Sequence, residues 1–304
     1  MDNNVLFYTQ KVQKRGLFVV DNIKNNVFSV VVLCYNNQQY LPVCLDSVLS
    51  QDYPAVEIIV ADDGSAEFDV QKHIDYINTS NKGNIVNFCV YRNEKNLGTV
   101  LNVNTALKKA TGRYIKIIAA DDAFFDENTL KNAASALIDS PCGIISANVA
   151  KCDIELKNPS KPFNRLGEQL NSSAPEKIFK KLCIHNDIAA GGVFFDLRFF
   201  EKYGYFDESY RLLEDWPTWL SVTKDGCKIA YAPFSAIKYR SDGGIGTGTN
   251  PLYMADKTRV MNEIIKPSKD ELGIIYYIGA RLSFMFINSK LIRKTYSILF
   301  RKGK

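Results

Sequence analysis

Along the first two-thirds of the chain, short apolar runs alternate with stretches whose apolar positions recur every three to four residues. Val27–Cys34 (VFSVVVLC) is a continuous, largely β-branched run, the pattern of a strand covered on both faces. From Tyr40 to Ser50 the apolar positions are 41, 44, 45, 48 and 49, which line one face of a helix. Further strands are expected at Val56–Ala61, Asn84–Tyr91, Arg113–Ala119 and Gly143–Val149, and helices over Thr99–Ala110 and Asp126–Asp139. Alternation of this length predicts an α/β fold, a mainly parallel sheet with right-handed crossovers and helices on both faces.

The later part is less regular. Asn158–Pro175, rich in Pro, Asn, Ser and Lys, reads as an irregular loop. A helix over Pro175–Leu182, an apolar segment around Gly191–Phe195, a helix from Glu214 and one or two strands between Lys228 and Arg240 follow. SDGGIGTGTN (241–250) is a glycine-rich loop, and two helices are expected to finish the chain.

Composition narrows the class. Of the 304 residues, 46% are apolar and 23% charged, as in an ordinary globular protein. The seven cysteines are scattered and never spaced as CxxC, which argues for reduced thiols rather than a disulfide framework or zinc cluster. The N-terminus shows no apolar signal-peptide core, so a cytoplasmic protein is expected. The longest apolar stretch, Ile274–Ile287, is interrupted by Arg281 and is too short to span a bilayer.

The net charge of +5 is unevenly placed. From Leu272 onward come Arg281, Lys290, Arg293, Lys294, Arg301, Lys302 and Lys304 without one Asp or Glu. A basic tail on a near-neutral body argues for a surface contact and against nucleic acid. Apolar residues at 275, 278, 282, 285, 292, 296 and 299 lie near helical spacing beside these cations. Two readings follow: a helix on an anionic membrane surface, peripheral on the inner face of the cell membrane, or a helix packed on the domain with a solvated basic face.

In parallel sheets ligands bind beyond the carboxyl ends of the strands. Tyr35-Asn36, Asp62-Asp63 and Asp121-Asp122 fall there, after the first, second and fourth expected strands. Adjacent carboxylates can hold a hard divalent cation together with substrate phosphates, or can simply cap a turn or helix. A third acidic cluster, LLEDWPTWL (212–220), sets Glu214-Asp215 beside both tryptophans, Trp216 and Trp219. A carboxylate against large rings is partly desolvated and prepared to take a proton; a capped helix is the plainer alternative. Neither histidine has the company of a metal ligand: His73 falls on a helix expected at the surface, His185 in a loop.

Together these residues resemble the family-2 glycosyltransferases over roughly 28–240. SVVVLCYNNQQYLPVCLDSVLSQDYPAVEIIVADDGS (29–65) is similar to the family's opening pattern, NLGTVLNVNTALKKATGRYIKIIAADD (96–122) to its second block, and FEKYGYFDESYRLLEDWPTWLSV (200–222) to its third. The resemblance implies a GT-A fold, Rossmann-like, with a nucleotide-sugar half over 27–122, an acceptor half over 123–245, an N-terminal extension (1–26) and a C-terminal basic helical extension (246–304). It implies inverting transfer from a nucleotide-diphosphate sugar to a glycan or lipid-linked acceptor in surface-polysaccharide synthesis, with Mn²⁺ or Mg²⁺ as cofactor.

Carried over residue by residue, the resemblance has Tyr35 stack on the base and Asp63 hydrogen-bond to it, which favours UDP as carrier. Asn36, Asn96, Gly98 and Asn104 would complete the nucleotide-sugar site. Asp121 would hold ribose or metal, Asp122 metal and diphosphate. Asp215, with Glu214 beside it, would be the general base, and Trp216 and Gly192 would face the acceptor.

Three positions depart from the family's pattern. Ala119 stands where the metal motif usually begins with Asp, Val103 where an Arg often precedes the Asn, and no His follows Tyr239-Arg240. They motivate a second reading, a binding or scaffold protein of the same fold with impaired catalysis. A nucleotidyltransferase would carry a glycine-rich basic loop after the first strand, where this chain has CYNNQQY.

Overall fold

The computed structural model describes residues 10–11, 26–241 and 250–288. Among the described residues nine strands form one sheet: β1 (Gln10–Lys11), β2 (Phe28–Cys34), β3 (Val56–Asp62), β4 (Ile85–Arg92), β5 (Tyr114–Ala119), β6 (Ala123–Phe124), β7 (Ile144–Cys152), β8 (Val193–Asp196) and β9 (Ala230–Arg240). Their order is β1-β4-β3-β2-β5-β8-β7-β9-β6. The strands β4, β3, β2 and β5 are parallel, as the alternating pattern predicts. β8 is inserted antiparallel between β5 and β7, and β9 returns parallel to β7, so the second half of the sheet is mixed.

Burial follows the sequence pattern closely in the first half. β3 is buried at every position and β2 at all but Leu33. The helix Leu41–Leu49 buries Leu41, Cys44, Leu45, Val48 and Leu49, the five positions that its periodicity selects. His73 corrects the surface expectation: it is buried, its ring 4.8 Å from that of Phe68. It lies on the inward face of the helix Val70–Ser80 with Ile74 and Ile77, and burial lowers its pKa. The 158–175 stretch is mostly irregular, but Phe163 pairs with Val149 in an isolated bridge and Gln169–Ser172 forms one helical turn.

The last described helices do not stand apart. Pro251–Val260 and the π-helical turn Met261–Ile265 bury Val260, Met261 and Ile265 in the same core as Trp216 and Trp219. Lys269–Asn288 packs along the helix Pro175–Ile184 and is kinked at Gly273. The 241–250 loop, described only at its two end residues, and the basic positions from Lys290 on otherwise lie outside the described residues.

Candidate active site

The parallel register brings the strand ends level. Cys34 pairs with Asp62, Asp62 with Arg92, and Leu33 with Ala119. Tyr35, Asp63, Asp121 and Asp122 therefore line one cleft of about 620 Å³, whose opposite side carries Glu214, Asp215 and Trp219. A shallower hollow of about 710 Å³, beside Asp46, Ser47, Thr79 and Lys82, has no such acidic pair.

On the first side, Tyr35 is exposed and lines the cleft, and its backbone N–H donates to Asn37 Oδ1 at 3.0 Å. Asn36 is in the left-handed region (φ 53°), and its N–H donates to Ser65 Oγ at 2.8 Å. Asp63 is buried; Leu97 N–H donates to Oδ1 at 2.8 Å and Gly98 N–H to Oδ2 at 2.9 Å. Burial raises the Asp63 pKa, and those N–H donors with the Asn93 amide pull it back. Gly98 has φ 91°, and a Cβ there would lie 2.6 Å from Arg211 Cγ, so this approach needs glycine. Asn96 accepts from the Arg211 guanidinium at Oδ1 (3.2 Å) and at its backbone oxygen (3.3 Å).

Asn104 is turned away from this cleft. It is fully buried, donating from Nδ2 to Phe206 O at 2.8 Å and accepting from Phe206 N–H at 3.1 Å. Two residues earlier on the same helix, Asn102 does line the cleft and donates to Ala61 O at 3.2 Å. A step of two along a helix rotates the side chain by roughly 200°, so a motif position alone does not separate these asparagines.

Asp121 is partly exposed and sits 3.4 Å from Asn37 Nδ2. Asp122 is buried, its Oδ1 accepting the Arg240 N–H at 3.0 Å. Burial first, then the Asp121 charge, raises the Asp122 carboxyl to about 7. Arg240 donates from Nε to Asp121 O at 2.8 Å and lies over the Tyr40 ring at 4.1 Å. Lys116, fully buried on β5, donates to Gly191 O (2.6 Å) and Val193 O (3.1 Å), and burial pushes it down to about 7.

Among the described residues no cluster of three or more His, Cys, Asp or Glu could hold a metal. A hard divalent cation needs only one or two carboxylates, with phosphate oxygens and water filling its shell. The adjacent Asp121 and Asp122 match that donor set, and a cation there would offset the cost of ionising the buried Asp122.

On the second side, Asp215 begins the helix Asp215–Lys224. Its Oδ2 accepts from Asn186 Nδ2 at 2.7 Å and its Oδ1 from the Trp216 N–H at 2.6 Å. Burial raises the Asp215 pKa, with the Asn186 amide acting against it. Burial and the neighbouring Asp215 charge raise Glu214 to about 8. Both carboxyls of the pair are thus pushed above the ordinary carboxylate range, by burial and, at Glu214, by the neighbouring charge.

The loop before this pair is held by Asp256 of the helix Pro251–Val260. Its buried carboxylate accepts from Arg211 N–H (3.0 Å), Leu212 N–H (2.7 Å) and Leu213 N–H (3.1 Å). The Arg211 carbonyl in turn accepts from Val100 N–H at 3.2 Å. Tyr253, one turn before Asp256, lines the cleft, and burial beside the two carboxylates raises its hydroxyl to about 12. Asn186, Tyr253 and Asp256 belong to none of the three sequence blocks; their company becomes visible only in the fold.

Two acceptor-side expectations are corrected. Trp216 points into the protein, donating from Nε1 to Leu182 O at 2.8 Å, while Trp219 lines the cleft against Phe195. Gly192 packs on β7, where a Cβ would lie 2.5 Å from Ala147 O; Ala190 and Gly191 face the cleft instead. His185 is exposed, its Nδ1 3.4 Å from Ser283 Oγ.

A parallel sheet with acidic pairs at its strand ends, facing a second acidic pair across a cleft, has the architecture of a GT-A glycosyltransferase. Solved structures share that fold. Residues 1–349 of S. aureus TarS in complex with UDP-GlcNAc match at a TM-score of 0.60 and 20% identity, over 90% of this chain and 75% of that one. The Pyrobaculum calidifontis mannosyltransferase PcManGT with GDP-Man and Mn²⁺ matches at 0.56 and 18%, over 91% and 79%. The glycosyl transferase family 2 model matches residues 29–204, and the chain belongs to that family of transferase enzymes. An uncharacterized glycosyltransferase of Haemophilus influenzae is 27% identical over 89% of this chain and 80% of its own length.

Proposed function

We propose that the protein transfers a sugar from a nucleoside-diphosphate sugar, with UDP as the favoured carrier, to a hydroxyl of a glycan or lipid-linked acceptor in surface-polysaccharide assembly, inverting the anomeric configuration. The observation that carries this reading is one cleft with Tyr35, Asp63, Asp121 and Asp122 on one wall and the Glu214-Asp215 pair on the other. The exposed Tyr35 ring offers a stacking surface for a base. Asp121 and Asp122 would hold Mn²⁺ or Mg²⁺ with the donor's phosphates, and the bound cation would supply Lewis-acid neutralisation of the leaving diphosphate.

Asp215 acts as general base. Its carboxylate takes the acceptor O–H proton as that oxygen bonds to the anomeric carbon, while the bond to the diphosphate breaks on the opposite face. Asn186 fixes the carboxylate's orientation at 2.7 Å. Glu214, held up to about 8, keeps its proton near neutrality and so does not compete as an anion.

The test replaces Asp215 by Asn and measures both steps. Titration with UDP and Mn²⁺ is expected to give unchanged nucleotide affinity, with transfer from the cognate donor of a nucleotide-sugar panel reduced about 10²–10⁴-fold. Normal turnover by Asp215→Asn removes the base assignment. Nucleotide binding by the unaltered chain without hydrolysis or transfer from any donor supports the scaffold reading that Ala119 and Val103 motivate.

A further inference from the structure

The helix Lys269–Asn288 carries a surface that the transfer chemistry does not use. Ile274 (65% exposed), Ile275 (80%), Ile278 (48%), Leu282 (49%) and Met285 (54%) all face solvent. At about 100° per residue these five and the exposed Arg281 fall within a sector of about 120°. The other side of the helix is already committed. Leu272 and Ala280 are buried, a Cβ at Gly279 would lie 3.2 Å from Ile184, and Ser283 meets His185. Scattered exposed apolar residues are ordinary, but a contiguous stripe of five marks a contact surface.

Charge decides what covers it. Arg281 lies within the stripe, and Lys290, Arg293, Lys294, Arg301, Lys302 and Lys304 follow it, with no Asp or Glu from Leu272 to the last residue. A second copy would bring the same net-positive sequence with it, whereas anionic headgroups neutralise it. We propose that this helix docks on an anionic lipid bilayer, its apolar stripe at the acyl boundary and its basic residues among the lipid phosphates.

The same helix meets the segment that leads to Asn186. Ser283 contacts His185, whose chain neighbour Asn186 holds Asp215. Ser283 lies on the face of the helix away from the stripe, so docking leaves that contact in place while holding the protein at a surface that can carry a glycan acceptor. This deepens the acceptor reading and rests on it only for what the bilayer carries; docking itself is measured without donor or acceptor.

The experiment is co-sedimentation of the full chain with phosphatidylcholine vesicles, with and without phosphatidylglycerol, at about 0.1 M salt. Binding is expected on the anionic vesicles, weaker by about tenfold on the neutral ones and further weakened by salt. The double variant Ile275→Glu/Leu282→Glu is expected to lose about tenfold or more of the vesicle affinity, with donor hydrolysis in solution and thermal midpoint unchanged. Arg281→Gln is expected to weaken only the anionic binding. Equal binding to both vesicle types, or unaltered binding by the double variant, overturns the proposal. So does a dimer dissociated by the double variant in a chain that binds no vesicles.

Discussion

At the carboxyl end of β3, Asp62 accepts hydrogen bonds from Gly64 and Ser65, two and three residues away. Across the cleft, Asp215 is held by Asn186 from another helix end, and the loop leading to it by Asp256 from a third. The wall proposed to hold the donor is built on the level ends of hydrogen-bonded parallel strands, braced over long range by Leu97 and Gly98 on Asp63 and by Arg240 on Asp122. The base wall is assembled from segments that meet only when the chain is folded. Gly98 and Arg211 join the two, since Gly98 braces Asp63 while the Arg211 carbonyl holds the next helical turn. Strand ladders fix the first wall through many backbone bonds, whereas the second hangs on a few side-chain contacts from loops and helices. The base wall should therefore be the more sensitive of the two to changes away from the cleft.

The sharpest way to break this comparison is Asp256→Ala, far in sequence from either acidic pair. Three backbone N–H groups lose their acceptor, the 211–213 loop relaxes, and kcat is expected to fall about 100-fold with the donor dissociation constant unchanged. Steady-state kinetics with a nucleotide titration checks both values. An equal loss of donor affinity would show that the two walls are not separable.

Asn186→Ala is expected to act less strongly and with a definite sign. Burial raises the Asp215 pKa and the Asn186 amide opposes that rise, so removing the amide raises it further. With Asp215 as the proposed base, transfer would need its anion, and the acidic limb of the kcat–pH profile should move to higher pH. The rate near neutrality should fall about tenfold, the value of one hydrogen bond to a charged group. An acidic limb that stays in place would remove Asn186 from the base's support.

Tyr35→Ala tests the donor wall. Loss of one stacking surface is expected to weaken nucleotide binding by about tenfold, leaving kcat and its pH profile unchanged. Calorimetric titration reads the first and saturating kinetics the second.

The strands and the helix Leu41–Leu49 were legible because their signals are local: β-branched runs, and apolar positions at 41, 44, 45, 48 and 49. Asp62-Asp63 and Asp121-Asp122 were legible for the same reason, standing where apolar runs end, and Glu214-Asp215 because both tryptophans lie beside it. His73 shows how a polar residue on an apolar face can be mis-sorted, since with Ile74 and Ile77 its spacing was already that of the inward side. Asn104 and Asn102, or Trp216 and Trp219, differ by only two or three residues, yet one of each pair lines the cleft and the other braces the core. That division depends on how each helix is rotated against its neighbours, which no local pattern records.

Sequence alone determined the parallel strands, the helices between them and the chain positions of the carboxylates, because periodicity and turn chemistry act over a few residues. Tertiary structure decided which polar side chains face the cleft and what charge they carry. Burial of Asp122 and Glu214, and the support of Asp215 by Asn186 and of its loop by Asp256, arise only when distant segments exclude water together.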